Sequence, residues 1–140
     1  MGKILCATRG GEASYRTQDA AIALAKERGD ELVFLYVVDL TFLEKTAAPI
    51  VVDIEGGIGK MGEFLLAMAQ ERAARQGVEA QTICREGRVR QEIKAAAVEE
   101  GATLVVLGRP AGETSAFIPE ALQSFADEIQ RETGVEVVIV

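Results

Sequence analysis

The chain has 140 residues, of which 49% are hydrophobic and 26% charged, with 14 glycines and 3 prolines. This is one domain, residues 1–140, long enough to bury roughly 68–70% of its unfolded surface without staples, and the composition excludes a disordered, collagen-like or disulfide-held chain. Fifteen basic against 22 acidic residues leave a net charge of -7, and there is no histidine, which excludes nucleic acid held through its phosphate charge, a His-based triad and a His-ligated metal.

In chain order, Lys3–Ala7 (KILCA) reads as a short buried strand. Ala13–Arg28 reads as a helix with Thr17, Ala20, Ala21, Leu24 and Ala25 inward, stopped by Gly29. Glu31–Val38 is a long apolar run of central-strand type. Asp39–Gly59, with Pro49 and three glycines, reads as a long loop or lid. The spacing predicts a helix over Lys60–Gln76, with Met61, Phe64, Leu65, Met68 and Ala69 as its inner stripe. Val78–Cys84 alternates, as an edge or half-wet strand does. Arg88–Glu100 is helical, with Val89, Ile93, Ala96 and Ala97 inward, and Thr103–Leu107 is a fully apolar strand. After a loop at Gly108–Ile118, Pro119 suits the first position of a helix that turns Ala121, Leu122, Phe125, Ala126 and Ile129 inward. Val135–Val140 (VEVVIV) is the last strand. There is no internal repeat.

Five strands alternating with four helices predict an α/β fold, a parallel sheet with helices on both faces. Such sheets bind ligands at the carboxyl ends of their strands, which directs attention to the turns after Ala7, Val38, Cys84 and Leu107, and most of all to two of them, those after Ala7 and Leu107. The first, Thr8-Arg9-Gly10-Gly11, joins two glycines to a cation at a helix start, an arrangement suited to an anion. The second carries Gly108, Arg109 and Gly112, with Glu113 working against an anion. Either turn can equally be a plain connection, and neither GxGxxG nor GxxxxGK[ST] occurs. Cys6 and Cys84 lie in strand-like runs without CxxC spacing and are expected to be core thiols of a reducing cytoplasm. No stretch is long and apolar enough to span a membrane, and the start reads as a strand rather than a signal peptide.

KILCATRGGEAS, LVFLYVVD, GRVRQEIKAAAVEEGATLVVLGR and VEVVIV, in that order and spacing, make the whole chain resemble a universal stress protein domain. The resemblance implies a Rossmann-like sheet of strand order 3-2-1-4-5, which sets strands one and four side by side. It also implies a site for ATP, which many members bind and others do not. Binding members carry Gly, two residues, Gly, nine residues, then Gly and Ser or Thr after strand four. Here Gly108 matches the first glycine, Ala111 stands at the second with Gly112 one place on, and Gln123-Ser124 stand for the final pair. Arg9 replaces the family's nucleoside-contacting Asp, and Val38-Asp39 keep the pattern at the end of strand two. An Arg cannot accept from a ribose hydroxyl, and Gln123 would crowd a backbone that must approach phosphate.

The expectation is a stress-response domain with a degenerate adenine-nucleotide site, weak or absent ATP binding and a sensing or scaffolding role. Its site residues are Thr8, Arg9, Gly10, Val38, Gly108, Arg109, Gly112 and Ser124. No catalytic residue, metal or obligatory cofactor is expected; AMP, ATP or another phosphate-bearing ligand is the class considered. One alternative is a universal stress protein that retains ATP or AMP. Another is an ATP pyrophosphatase, whose S-G-G-x-D-S loop Arg9–Ser14 resembles without its first Ser or its Asp. Val135–Val140, apolar on both faces and at the sheet edge in the family's order, is expected to pair two chains as a homodimer. No nucleic-acid or membrane partner is expected, and any protein partner is unknown.

Overall fold

The computed structural model describes residues 2–9, 14–38, 57–109 and 120–140, and the side chains from residue 60 on in the third of these stretches. The expected lid at Asp39–Gly59 falls almost wholly outside the described residues, as does most of the loop after Gly108.

Five strands, β1 (Lys3–Ala7), β2 (Glu31–Val38), β3 (Ala80–Glu86), β4 (Leu104–Leu107) and β5 (Glu136–Ile139), alternate with four helices among the described residues. The helices are α1 (Tyr15–Arg28), α2 (Gly57–Arg75), α3 (Val89–Glu99) and α4 (Glu120–Thr133). All four strand pairings are parallel and the order is β3-β2-β1-β4-β5, as expected. Ile4, Leu5 and Cys6 of β1 lie opposite Leu104, Val105 and Val106 of β4. The two turns singled out in the sequence therefore leave the sheet side by side.

The strand period of two divides the core. Ile4, Cys6, Leu32, Phe34 and Val106 face α1 and α2, whereas Leu5, Val33, Leu35, Val105 and Leu107 face α3 and α4. Strands buried on both faces need near-continuous apolar runs, which KILCA, LVFL and LVVL supply. Each such side chain contributes about 1.5–3 kcal/mol by leaving water. The alternating strand is an edge strand, β3, displaced two residues from the expected 78–84.

Helix α2 is rotated from the expected stripe. Leu66, Ala69 and Ala73 face the sheet, while Met61, Phe64 and Met68 are 60%, 64% and 40% exposed. Gly62 explains the choice, since a Cβ there would come within 2.8 Å of the Tyr36 ring. A face of Gly and Ala lets the helix lie close on the sheet; a face of Met and Phe would hold it away. In α1 the buried set is Thr17, Gln18, Ala21, Ile22 and Ala25, so Gln18 and Ile22 stand in for Ala20 and Leu24. Cys84 is also corrected: it is exposed on the edge strand, whereas Cys6 is buried as expected.

Candidate functional site

A parallel sheet brings the carboxyl ends of its strands and the first turns of its helices to one end of the molecule. A cavity of about 690 Å³ opens there, on the α3/α4 side. Small-molecule sites run roughly 300–1,000 Å³. Its floor is Ala7, Leu35, Val37 and Leu107, its α3 wall is Val89 and Ile93, and its α4 wall is Leu122 and Phe125. Its charged side chains are Arg9 and Arg90; no acidic residue lines it among the described residues. An apolar chamber with cations at its rim, on a chain of net charge -7, concentrates positive potential locally.

Thr8, Arg9 and Gly108 line this cavity. Arg109, half-buried beside Gly108, does not line it. Val38 is buried and does not line it either. Its parity with Phe34 sends it toward α1 and α2, and Val37 takes the place facing the cavity. Ser124 is exposed on α4 and does not line the cavity, to which that helix contributes Ala121, Leu122 and Phe125; Ala121, expected inward, is exposed. Gly10 and Gly112 lie outside the described residues.

The backbone donors of Thr8 and Arg9 are committed. Thr8 N–H donates to the Leu35 carbonyl at 2.9 Å, and Arg9 N–H donates to Ser14 Oγ at 3.2 Å. Across the crevice Arg109 N–H donates to the Val140 carbonyl at 3.1 Å. Beneath Thr8, Gln18 Nε2 donates to Thr8 Oγ1 at 3.0 Å, with both residues buried. An anion at these positions is therefore met by side chains, not by the amides of residues 8, 9 and 109. Gly108 also has a packing role, because Thr17 of α1 occupies the space a Cβ would take.

Sequence reasoning pointed to the turn after β3 but did not single out Arg90, which stands in the first turn of the helix that follows, at the same end of the sheet as the β1 turn. The Arg90 guanidinium lies over the Phe125 ring, 5.1 Å from its centroid, and Nη2 donates to the Ala121 carbonyl at 3.3 Å. Among the described residues no cluster of Cys, Asp and Glu has the grouping of a metal site, and no helix among them is long and apolar enough to cross a membrane.

Residues 1–140 match the family model described as the universal stress protein family. The chain is 35% identical over 116 residues to universal stress protein YxiE of Bacillus subtilis (strain 168), covering 77% of this chain and 78% of that protein. Among solved structures, a universal stress protein family member from Burkholderia pseudomallei is 28% identical with a TM-score of 0.71, covering 99% of this chain and 95% of that one. A universal stress protein in complex with cAMP superimposes with a TM-score of 0.69 at 21% identity, over 99% of this chain and 96% of that one, a likeness of fold. With a whole-chain family match and the 3-2-1-4-5 sheet, this chain belongs to the universal stress protein family.

Proposed function

We propose that this universal stress protein binds a phosphate-bearing ligand of the adenine-nucleotide class in the cavity above β1 and β4, with AMP favoured over ATP, and acts by sensing or scaffolding rather than by turnover. The observation that carries the reading is the chamber of about 690 Å³ itself, with apolar walls for a base and Arg9 and Arg90 as the charged groups among its described lining residues. The cAMP complex of a protein of the same fold supports the ligand class. The committed amides of Arg9 and Arg109 support a weakened grip on a triphosphate, which backbone N–H groups cradle best. The departures at Arg9 and Gln123 from the family pattern work in the same direction. Among the described lining residues no nucleophile–base pair stands out, which fits a non-catalytic role.

Isothermal titration with AMP and ATP tests this reading. AMP should bind more tightly than ATP, and ATP no tighter than the micromolar range. Sub-micromolar ATP affinity would show that the site retains the family's triphosphate grip, and no heat with either nucleotide would remove the nucleotide reading. Mass spectrometry of small molecules released from freshly purified protein identifies what the cavity carries.

We also propose a homodimer through the last strand. β5 is an edge strand whose Val137 and Ile139 contact one core and Val138 the other. A paired edge would satisfy its outward N–H and C=O groups. Sedimentation velocity over a dilution series should give twice the chain mass at the higher concentrations; a single-chain mass throughout would overturn it.

A further inference from the structure

We propose that Arg90 is a specificity-determining residue of the cavity, reading an anionic group of the ligand from the α3/α4 side. The proposal rests on the nucleotide reading above and adds a second recognition point, on α3, to the one at the β1 turn. Four observations carry it. Arg90 lines the cavity. Its guanidinium is held in place, lying over the Phe125 ring at 5.1 Å and donating through Nη2 to the Ala121 carbonyl. That single hydrogen bond uses one of the five donors of a guanidinium. Finally, among the described residues, carboxylates of the same two helices are engaged elsewhere: Glu92 pairs with Arg85 at 2.8 Å and Glu128 with Lys94 at 2.9 Å. Arg90 acts on Glu128 only through its longer-range field.

An arginine serving purely as a surface charge on an acidic protein would be expected to pair with one of these carboxylates. Here it stacks on an aromatic ring at the mouth of a chamber with no acidic lining among the described residues. A guanidinium fixed in this way loses little freedom when it meets a phosphate, and its planar fork takes two oxygens at once. Lysine would supply the charge but neither the stack on Phe125 nor the bidentate geometry. The ligand class selected is therefore a base or similar apolar body bearing phosphate, over the same body without it.

The experiment compares adenosine, AMP and inorganic pyrophosphate by isothermal titration on the wild-type protein, Arg90→Met, Arg90→Lys and, as a charge control, Arg88→Met. Arg88 is exposed and does not line the cavity. Loss of a charge-assisted hydrogen bond should weaken AMP and pyrophosphate by about tenfold or more in Arg90→Met, with Arg90→Lys in between and adenosine unchanged. Arg88→Met should change them by less than about twofold at physiological salt, where the Debye length is ~8 Å.

If AMP binds equally to wild type and Arg90→Met, the Arg90 proposal is overturned and the nucleotide reading stands. If pyrophosphate binds in an Arg90-dependent way while adenosine and AMP gain nothing over it, the nucleotide reading falls and Arg90 stands as an anion site. No binding of any probe to wild type overturns both. Should Arg90→Met fail to fold, the Nε–Hε resonance of Arg90 in the wild-type protein decides, since it must shift on pyrophosphate addition.

Discussion

Thr17 fills the space that a side chain on residue 108 would need. A Cβ at Gly108 would run into the Thr17 hydroxyl, with Thr17 Cβ at 3.2 Å and Cγ2 at 3.3 Å. The glycine that opens the family's phosphate motif is thus required here by the packing of α1 on the end of β4. Gly108→Ala should cost about 1–3 kcal/mol, the usual penalty for overpacking, and Thr17→Ala in the same chain should recover part of it. Urea unfolding of the four proteins in this cycle measures the coupling. Unaltered stability in Gly108→Ala would overturn the packing role. Loss of ligand in Gly108→Ala alone would not show a phosphate contact, because the clash displaces the cavity wall.

The rotation of α2 predicts opposite outcomes for two large apolar residues two positions apart. Leu66, 2% exposed, should cost about 2–5 kcal/mol on truncation to alanine. Phe64, 64% exposed, should tolerate serine to within about 0.5 kcal/mol. Thermal or urea unfolding separates the two. A large loss from Phe64→Ser would restore the stripe read from sequence spacing.

The two thiols should react differently. Burial pushes Cys6 up to about 12, so it stays protonated and shielded. Cys84 is exposed, its thiol raised by partial burial and then by the fields of Glu63 and Glu86. An aromatic disulfide reagent should titrate Cys84 slowly in the native protein and both thiols in denaturant. The Cys6 shift also has a sign. A group whose folded value lies above its unfolded value contributes stability that is complete below the unfolded value, 9.0, and is lost as pH rises toward about 12. Cys6→Ala should therefore flatten the alkaline unfolding limb. Rapid native labelling of Cys6 would contradict its burial.

Asp19 and Arg72 join α1 to α2, with Nε to Oδ1 at 2.7 Å, and Arg72 also lies over the Tyr15 ring at 4.3 Å. The hydrogen bond from Arg72 holds the Asp19 carboxyl below its ordinary value, with Gln76 adding to it against partial burial. A depressed carboxyl contributes stability above its unfolded value of 3.8, and that contribution is lost as pH falls through the folded value. Asp19→Asn should lower the melting temperature slightly at neutral pH, since solvent screens this half-exposed pair. The gap should close in strong acid. A gap that persists there would mean that packing, not charge, is what the substitution disturbs.

Much of the fold was legible in the residues. Runs such as LVFL and LVVL read as strands buried on both faces, and the alternation of VEAQTIC read as a half-wet or edge strand, which the structure places two residues on. The two turns of the site were legible too, because a parallel sheet leaves its chemistry at the carboxyl ends of its strands, and Thr8, Arg9 and Gly108 do line one cavity. The strand order itself came from the resemblance, since alternation of strand and helix does not say which strands are neighbours.

What the amino-acid order determined by itself was local: which segments are strands or helices, their approximate extent, and where glycines end them. The tertiary structure decided which of two adjacent residues faces the site, Val37 rather than Val38, because parity becomes a direction only once a neighbouring helix covers one face. It turned α2 onto its small residues, since the ring of Tyr36 needs Gly62 beneath it. It also brought Arg90 against Phe125, 35 positions along the chain, at the mouth of the cavity. That meeting depends on α3 and α4 packing side by side on one face of the sheet, a long-range relation that no local period encodes.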